Sequence, residues 1–203
     1  MVNFAIINTS LLTMKGQGLG IIENGTLAID NDVIVYAGPS DRFDASGAST
    51  IIDGSHHVTM PGLVNTHFHS AMTLLRGGAQ DMPEIEWMNR GVGPLGAYVN
   101  DDDSLVGSKL AVVEGVRSGT TTFAEYGANV TRLVENVYLP FGVRVVATET
   151  INEISPNRAH LKPTDLYEFD PSKGQAALDQ AERLFDSFQG EDLVTCMYGP
   201  QMP

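Results

Sequence analysis

A single cysteine, Cys196, is all the thiol chemistry that 203 residues offer, so no intrachain disulfide and no cysteine-based zinc site can form. Bases are also scarce: 12 lysines and arginines face 25 aspartates and glutamates, a formal net charge of −13. Nucleic-acid binding needs clustered positive charge and anionic membrane surfaces repel this balance, so neither partner is expected. No apolar run approaches the roughly 18 residues of a membrane span. The N-terminal stretch Met1 to Asn8 lacks a basic segment followed by a long apolar one, so no signal peptide is read and a cytoplasmic location is expected. What remains is an ordinary globular composition, 42% hydrophobic and 18% charged, enough for one sizeable core and a smaller satellite.

The texture changes along the chain. Residues 1–57 hold short β-type runs at 4–7, 19–22, 26–29, 33–36 and 50–52, separated by turn signals at Asn24-Gly25, Asp30-Asn31-Asp32 and Gly38-Pro39-Ser40. This spacing predicts a small antiparallel sheet or half-sandwich. From Val58 onward strand and helix alternate. Residues 58–65 read as a buried strand. A helix is expected over 105–116, with apolar positions 105, 106, 110, 112, 113 and 116, acids Asp101 to Asp103 at its start and Gly119 at its stop. Strands are expected at 120–126, 143–148 and 193–198, and helices at 130–139, stopped by Pro140, and at 174–188, after a loop carrying Pro156, Pro163 and Pro171. Four strands separated by helices indicate parallel βα units. A closed (β/α)8 barrel takes about 250 residues. Residues 58–203 therefore read as its first four βα units, a truncated half ending in Gly199-Pro-Gln-Met-Pro203; a complete open α/β sheet is the alternative.

The chemistry-bearing feature is His67-Phe68-His69. On a strand, residues i and i+2 share a face, so both imidazoles can reach one ion at about 2.0–2.1 Å from each nitrogen. The competing reading is a pair of surface or loop histidines. His56 and His57 are adjacent, point to opposite sides of any strand and are read as turn residues.

The residues around the pair narrow that choice. Ile52-Asp53-Gly54 followed by Val58-Thr-Met-Pro-Gly-Leu-Val-Asn-Thr-His-Phe-His-Ser70 resembles the amidohydrolase superfamily, and most of all its cytosine-deaminase-like branch, with the methylthioadenosine/adenosylhomocysteine deaminases and triazine hydrolases. Ala71 to Asp81, Glu86-Trp87, Ser118-Gly-Thr-Thr-Thr122 and Gly142-Val-Arg-Val-Val146 extend the likeness over essentially the whole chain. The resemblance implies a β-sandwich segment at 1–57 preceding the barrel. It also implies one divalent metal, zinc first and iron second, held by His67 and His69 with further ligands beyond Pro203, where the proton-transferring glutamate would also lie. The implied activity is hydrolysis of a carbon–nitrogen bond of a small N-heterocycle such as a purine, pyrimidine or triazine. The binuclear, cyclic-amide-cleaving relatives use a lysine at the end of the fourth barrel strand. Thr195 to Gln201 contains none, which favours the mononuclear branch. A catalytically incomplete subunit or scaffold, pairing with the missing half or forming a homo-oligomer, is the reading from a different class.

Substrate residues are expected at strand ends and in the first loop. Trp87 is read as a wall for an aromatic ring or else a packing residue, and Glu125 as orienting the pocket or pairing with a neighbouring base. Glu149 and Gln201 are read as hydrogen-bonding ring nitrogens or amino groups, or else as solvated loop residues. Adenosine-type deaminases tend to have a glutamate at the position of Gly96, an arginine at that of Glu149 and a histidine at that of Gln201. These departures point away from a thioadenosine and towards another N-heterocycle. Arg76 is read as a loop brace, and Cys196 as a small buried residue.

Overall fold

The computed structural model describes residues 2–155, 160–162, 164–166 and 168–201. It divides into two compact units, Met1–Gly62 and Leu63–Pro203. The first is a five-stranded sheet built from β1 (Phe4–Leu12), β2 (Ile21–Asp30), β3 (Val33–Pro39), β4 (Thr50–Asp53) and β5 (Val58–Thr59). Its order is β3-β2-β1-β4, with β5 also on β1. Only β1–β2 and β2–β3 are antiparallel, because β4 and β5 both run alongside β1 in its own direction. The sheet is therefore mixed rather than antiparallel.

Asn24-Gly25 lies inside β2 and is not a turn. Gly25 faces Thr9 at a register shift, where a Cβ would come within 2.6 Å of the Leu11 Cβ, so the glycine serves a close strand approach. The hairpin turn falls where Asn31 and Asp32 adopt φ of 45° and 67°, the left-handed pair that a tight hairpin needs. The expected buried strand at 58–65 is two pieces: β5 ends at Thr59, and β6 (Leu63–Phe68) opens the second unit. Pro61 has no N–H for a ladder and interrupts the run. Leu63 and Val64 are 48% and 58% exposed, so this edge strand is not buried.

The second unit is a four-stranded parallel sheet in the order β6-β7-β8-β9, with β7 at Thr120–Gly127, β8 at Arg144–Ile151 and β9 at Val194–Pro200. Helix α1 (Asp101–Arg117) starts in a capping box. The Asn100 side chain accepts from the Asp102 and Asp103 amides at 2.9 and 3.0 Å, and Asp103 Oδ2 accepts the Asn100 amide at 3.1 Å. Replacing Asn100 with alanine should cost about 1 kcal/mol, read as a fall of roughly 2–4 °C in Tm by thermal unfolding.

Helix α2 occupies 130–141 and continues through Pro140, stopping at Gly142, whose φ is 66°. Immediately before the proline the turn Val134–Tyr138 is wider, with Leu139 N–H reaching Val134 O, and this accommodates the missing donor. Helix α3 (Pro171–Ser187) begins earlier than expected: Pro171 is its first residue rather than part of a loop, and Asp170 caps it by accepting the Ser172 amide. Pro156 and Pro163 lie outside the described residues. Val112, Phe123, Val134, Val137, Tyr138, Val145, Ala147 and Leu184 form the core between sheet and helices. No helix among the described residues is long and apolar enough to cross a membrane.

Candidate metal centre

Strand alternation places His67 and His69 opposite the core. Phe68, between them, packs against Phe123 with ring centroids 5.2 Å apart, and this turns both imidazoles to the other face of the sheet. The two rings then meet: His67 Nε2 and His69 Nε2 are 3.0 Å apart. Two nitrogens on one tetrahedral zinc would be about 3.3 Å apart, so the pair needs to open by only a few tenths of an ångström to share an ion.

The other nitrogen of His69 is also engaged. Its Nδ1 forms a short hydrogen bond to the Tyr126 carbonyl, a group that can only accept. Nδ1 therefore carries the proton and Nε2 presents its lone pair, the arrangement that metal-bound histidines use. Burial, reinforced by the neighbouring His67 against the opposing pull of the Tyr126 carbonyl, holds His69 below the ordinary imidazole range and favours its neutral form. The donor set and geometry fit a divalent ion of borderline softness such as zinc. Among the described residues, no group of three or more His, Cys, Asp or Glu side chains gathers around one point.

Behind the pair lies a buried polar cluster. Glu125, at the end of β7, is 1% exposed and accepts the Ser70 amide on both oxygens at 3.3 Å. The Tyr138 hydroxyl donates to the same carboxylate in a short hydrogen bond. Ser70 Oγ in turn meets Ser108 Oγ of α1 at 2.7 Å. Burial raises the Glu125 carboxyl above its ordinary range, and burial with the facing Glu125 pushes the Tyr138 phenol up, keeping it a donor. The helix comes this close because it has Gly107, where a Cβ would stand 2.8 Å from the Ala71 carbonyl.

Residues 58–194 match the amidohydrolase family, a span that includes the histidine pair and all of this cluster. The chain belongs to the amidohydrolase family. It is 34% identical, over its whole length, to a 5'-deoxyadenosine deaminase of Methanosarcina acetivorans, and covers 43% of that protein. It is 32% identical, again over its whole length, to a 5-methylthioadenosine/S-adenosylhomocysteine deaminase of Symbiobacterium thermophilum, covering 43% of it. An adenosine deaminase from Xanthomonas campestris, solved with bound zinc, superposes with a TM-score of 0.80 at 25% identity over 98% of this chain and 42% of that one. The chain thus spans under half the length of these relatives.

Within this amidohydrolase chain the other expected site residues scatter. Glu125 does not face an open pocket, since both its oxygens are engaged by Ser70 and Tyr138. Glu149 is 4% exposed and accepts the Asn129 amide at 2.7 Å and the Val130 amide at 2.9 Å, capping α2 rather than offering itself to a ring. Trp87 is half-buried in the helical stretch 84–96, while the ring contacts of the histidine pair are with each other and with Tyr126. Gln201 lines an open cavity of about 740 Å3 with Ile151, Asn152 and Leu178, and its Oε1 accepts from Asn152 Nδ2 at 3.1 Å. Arg76 braces the loop through Glu114 at 2.6 Å. Sequence reading did not anticipate Tyr126, Ser70, Ser108 or Tyr138. Alternation from Phe123 does put Glu125 on the core face, and that signal was available for the glutamate at least.

Proposed function

We propose that this chain supplies the first two metal ligands of a mononuclear aminohydrolase that cleaves an exocyclic carbon–nitrogen bond of an N-heterocycle, releasing ammonia. The observation that carries the reading is the convergence of the His67 and His69 Nε2 atoms, with His69 Nδ1 committed to the Tyr126 carbonyl. A bound divalent ion, zinc before iron, would supply water activation near neutral pH. His67 and His69 hold it, and the Tyr126 carbonyl keeps His69 in the ligating tautomer. The reading takes residues 58–203 as the first four βα units of a (β/α)8 barrel, with the first strand starting at Leu63, and the N-terminal sheet as part of a β-sandwich. Of the substrate classes, an adenosine analogue is favoured by the names of the relatives at 34% and 32% identity, against the expectation drawn from Gly96, Glu149 and Gln201. The test is metal content and ammonia release from 5'-deoxyadenosine, with an aminotriazine alongside, in a polypeptide continued past Pro203 by its own reading frame. About one zinc per chain and ammonia from the nucleoside are expected. A continuation without further histidine and aspartate ligands would overturn the reading.

A second reading rests on the open sheet. Both outer strands, β6 and β9, carry exposed apolar residues, Leu63 and Val64 on one and Met197 and Tyr198 on the other. Such edges suit a subunit that completes its sheet with a second polypeptide or a second copy. A strictly monomeric species in sedimentation analysis, with no gain in metal affinity on adding a partner, would rule it out.

A further inference from the structure

We propose that Glu125 is a positioning residue for metal ligation: Glu125 and Tyr126 together form a two-residue clamp that fixes His69 in its ligating orientation and tautomer. The inference rests on the metal-site reading of His67 and His69.

The clamp follows from the place where β6 ends. Phe68 still pairs with Glu125 in the parallel ladder, but His69, at φ −121° and ψ 78°, already leads into the turn Ser70–Leu75. The ligand therefore sits one residue past the regular ladder, where no strand partner holds the chain. The Ser70 amide, the next donor along, is taken by the Glu125 carboxylate. The following residue of β7 supplies the second grip, because the Tyr126 carbonyl receives His69 Nδ1–H. Consecutive residues of β7 thus hold consecutive residues 69 and 70, one by side chain to backbone and the other by backbone to side chain.

Each jaw is itself anchored. The Tyr138 hydroxyl ties Glu125 to α2, and Ser108 ties Ser70 to α1. The Tyr126 hydroxyl donates to the Gly199 carbonyl at 3.1 Å, pinning its residue across β8 to β9. A packing role alone would be filled at lower cost by an apolar side chain, since an almost fully buried carboxyl must recover its desolvation through hydrogen bonds. Here every bond that recovers it goes to the turn behind His69 or to the residue that orients the carboxyl.

Zinc chloride titrated into the polypeptide continued past Pro203 by its own reading frame, against a chromophoric chelator, gives the affinity, and long-range 1H–15N correlation of the histidine rings gives the tautomer of His69. Glu125→Gln is expected to raise the zinc Kd about 10-fold or more, the range in which loss of an outer-shell partner falls, and to replace the single Nδ1–H tautomer by a mixture. Tyr138→Phe, which leaves Glu125 in place and removes one anchor, should raise Kd about 3-fold and decides alone if Glu125→Gln does not fold. Glu149→Gln is the control, a buried carboxylate on the neighbouring strand that does not touch the pair: Kd should stay within about twofold and the His69 tautomer should not change. If Glu125→Gln and Tyr138→Phe both bind within about twofold of the parent with His69 still Nδ1-protonated, while His69→Ala weakens binding about 100-fold or more, the clamp is refuted and the metal site stands. If the parent binds no zinc, or binds it independently of His69, the metal-site reading falls and takes the clamp with it.

Discussion

Replacing His69 with alanine should weaken zinc binding by about 100-fold or more, equivalent to about 2.7 kcal/mol. The substitution removes one of the two nitrogens that converge, and with it the ring whose tautomer the Tyr126 carbonyl sets. His67→Ala should act similarly, because each imidazole contributes one nitrogen to the same ion. His57→Ala serves as the comparison. That ring lies in the N-terminal unit with its Nδ1 against the Ser55 carbonyl at 3.0 Å, and its loss should leave the affinity unchanged. Competition with a chromophoric chelator measures all three. Equal affinities for parent and His69→Ala would show that zinc binds elsewhere.

The pair was legible in the sequence because its signal is local. Two histidines two residues apart on a strand share a face whatever the rest of the fold does, and Phe68 between them fixes which face that is. The parallel βα order of the second unit was legible for the same reason, since each element carries its own periodicity. Elements that depend on distant neighbours were not. Asn24-Gly25 has the composition of a turn, yet it lies in β2 because β1 crosses there too closely for a side chain. Pro140 reads as a stop, and the wider turn before it lets the helix run on to Gly142. Glu125 and Glu149 read as pocket residues from their places at strand ends. Each instead turns to the core face, as alternation from Phe123 and from Val145 and Ala147 would indicate, and each finds donors there that no local pattern announces.

Glu149 carries the second large expected effect, on stability rather than binding. Its two oxygens accept the Asn129 and Val130 amides, the first donors of α2, and that helix supplies Val130, Leu133, Val134, Val137 and Tyr138 to the core. Glu149→Leu would leave the buried Val130 amide and the part-buried Asn129 amide without their partner at a helix start, a cost of about 2–4 kcal/mol by urea unfolding. Glu149→Gln should cost less, since its amide oxygen still accepts one of the two. The pH dependence separates the burial of the carboxyl from its hydrogen bonds. Burial raises the Glu149 pKa above its ordinary 4.5, outweighing the Val130 and Asn129 amides and the attraction of Arg183, which all act to lower it. A carboxyl whose folded-state pKa is raised binds protons more tightly when folded, so its contribution is complete below about pH 4.5 and is lost as pH rises through the folded-state value. The glutamine side chain of the Glu149→Gln variant has no such titration. The stability advantage of the parent over Glu149→Gln should therefore be widest near pH 4.5 and narrow towards pH 8. An advantage that grows over the same interval would mean that the helix amides and Arg183 dominate, and that the carboxylate is charged in the folded protein because they stabilise it.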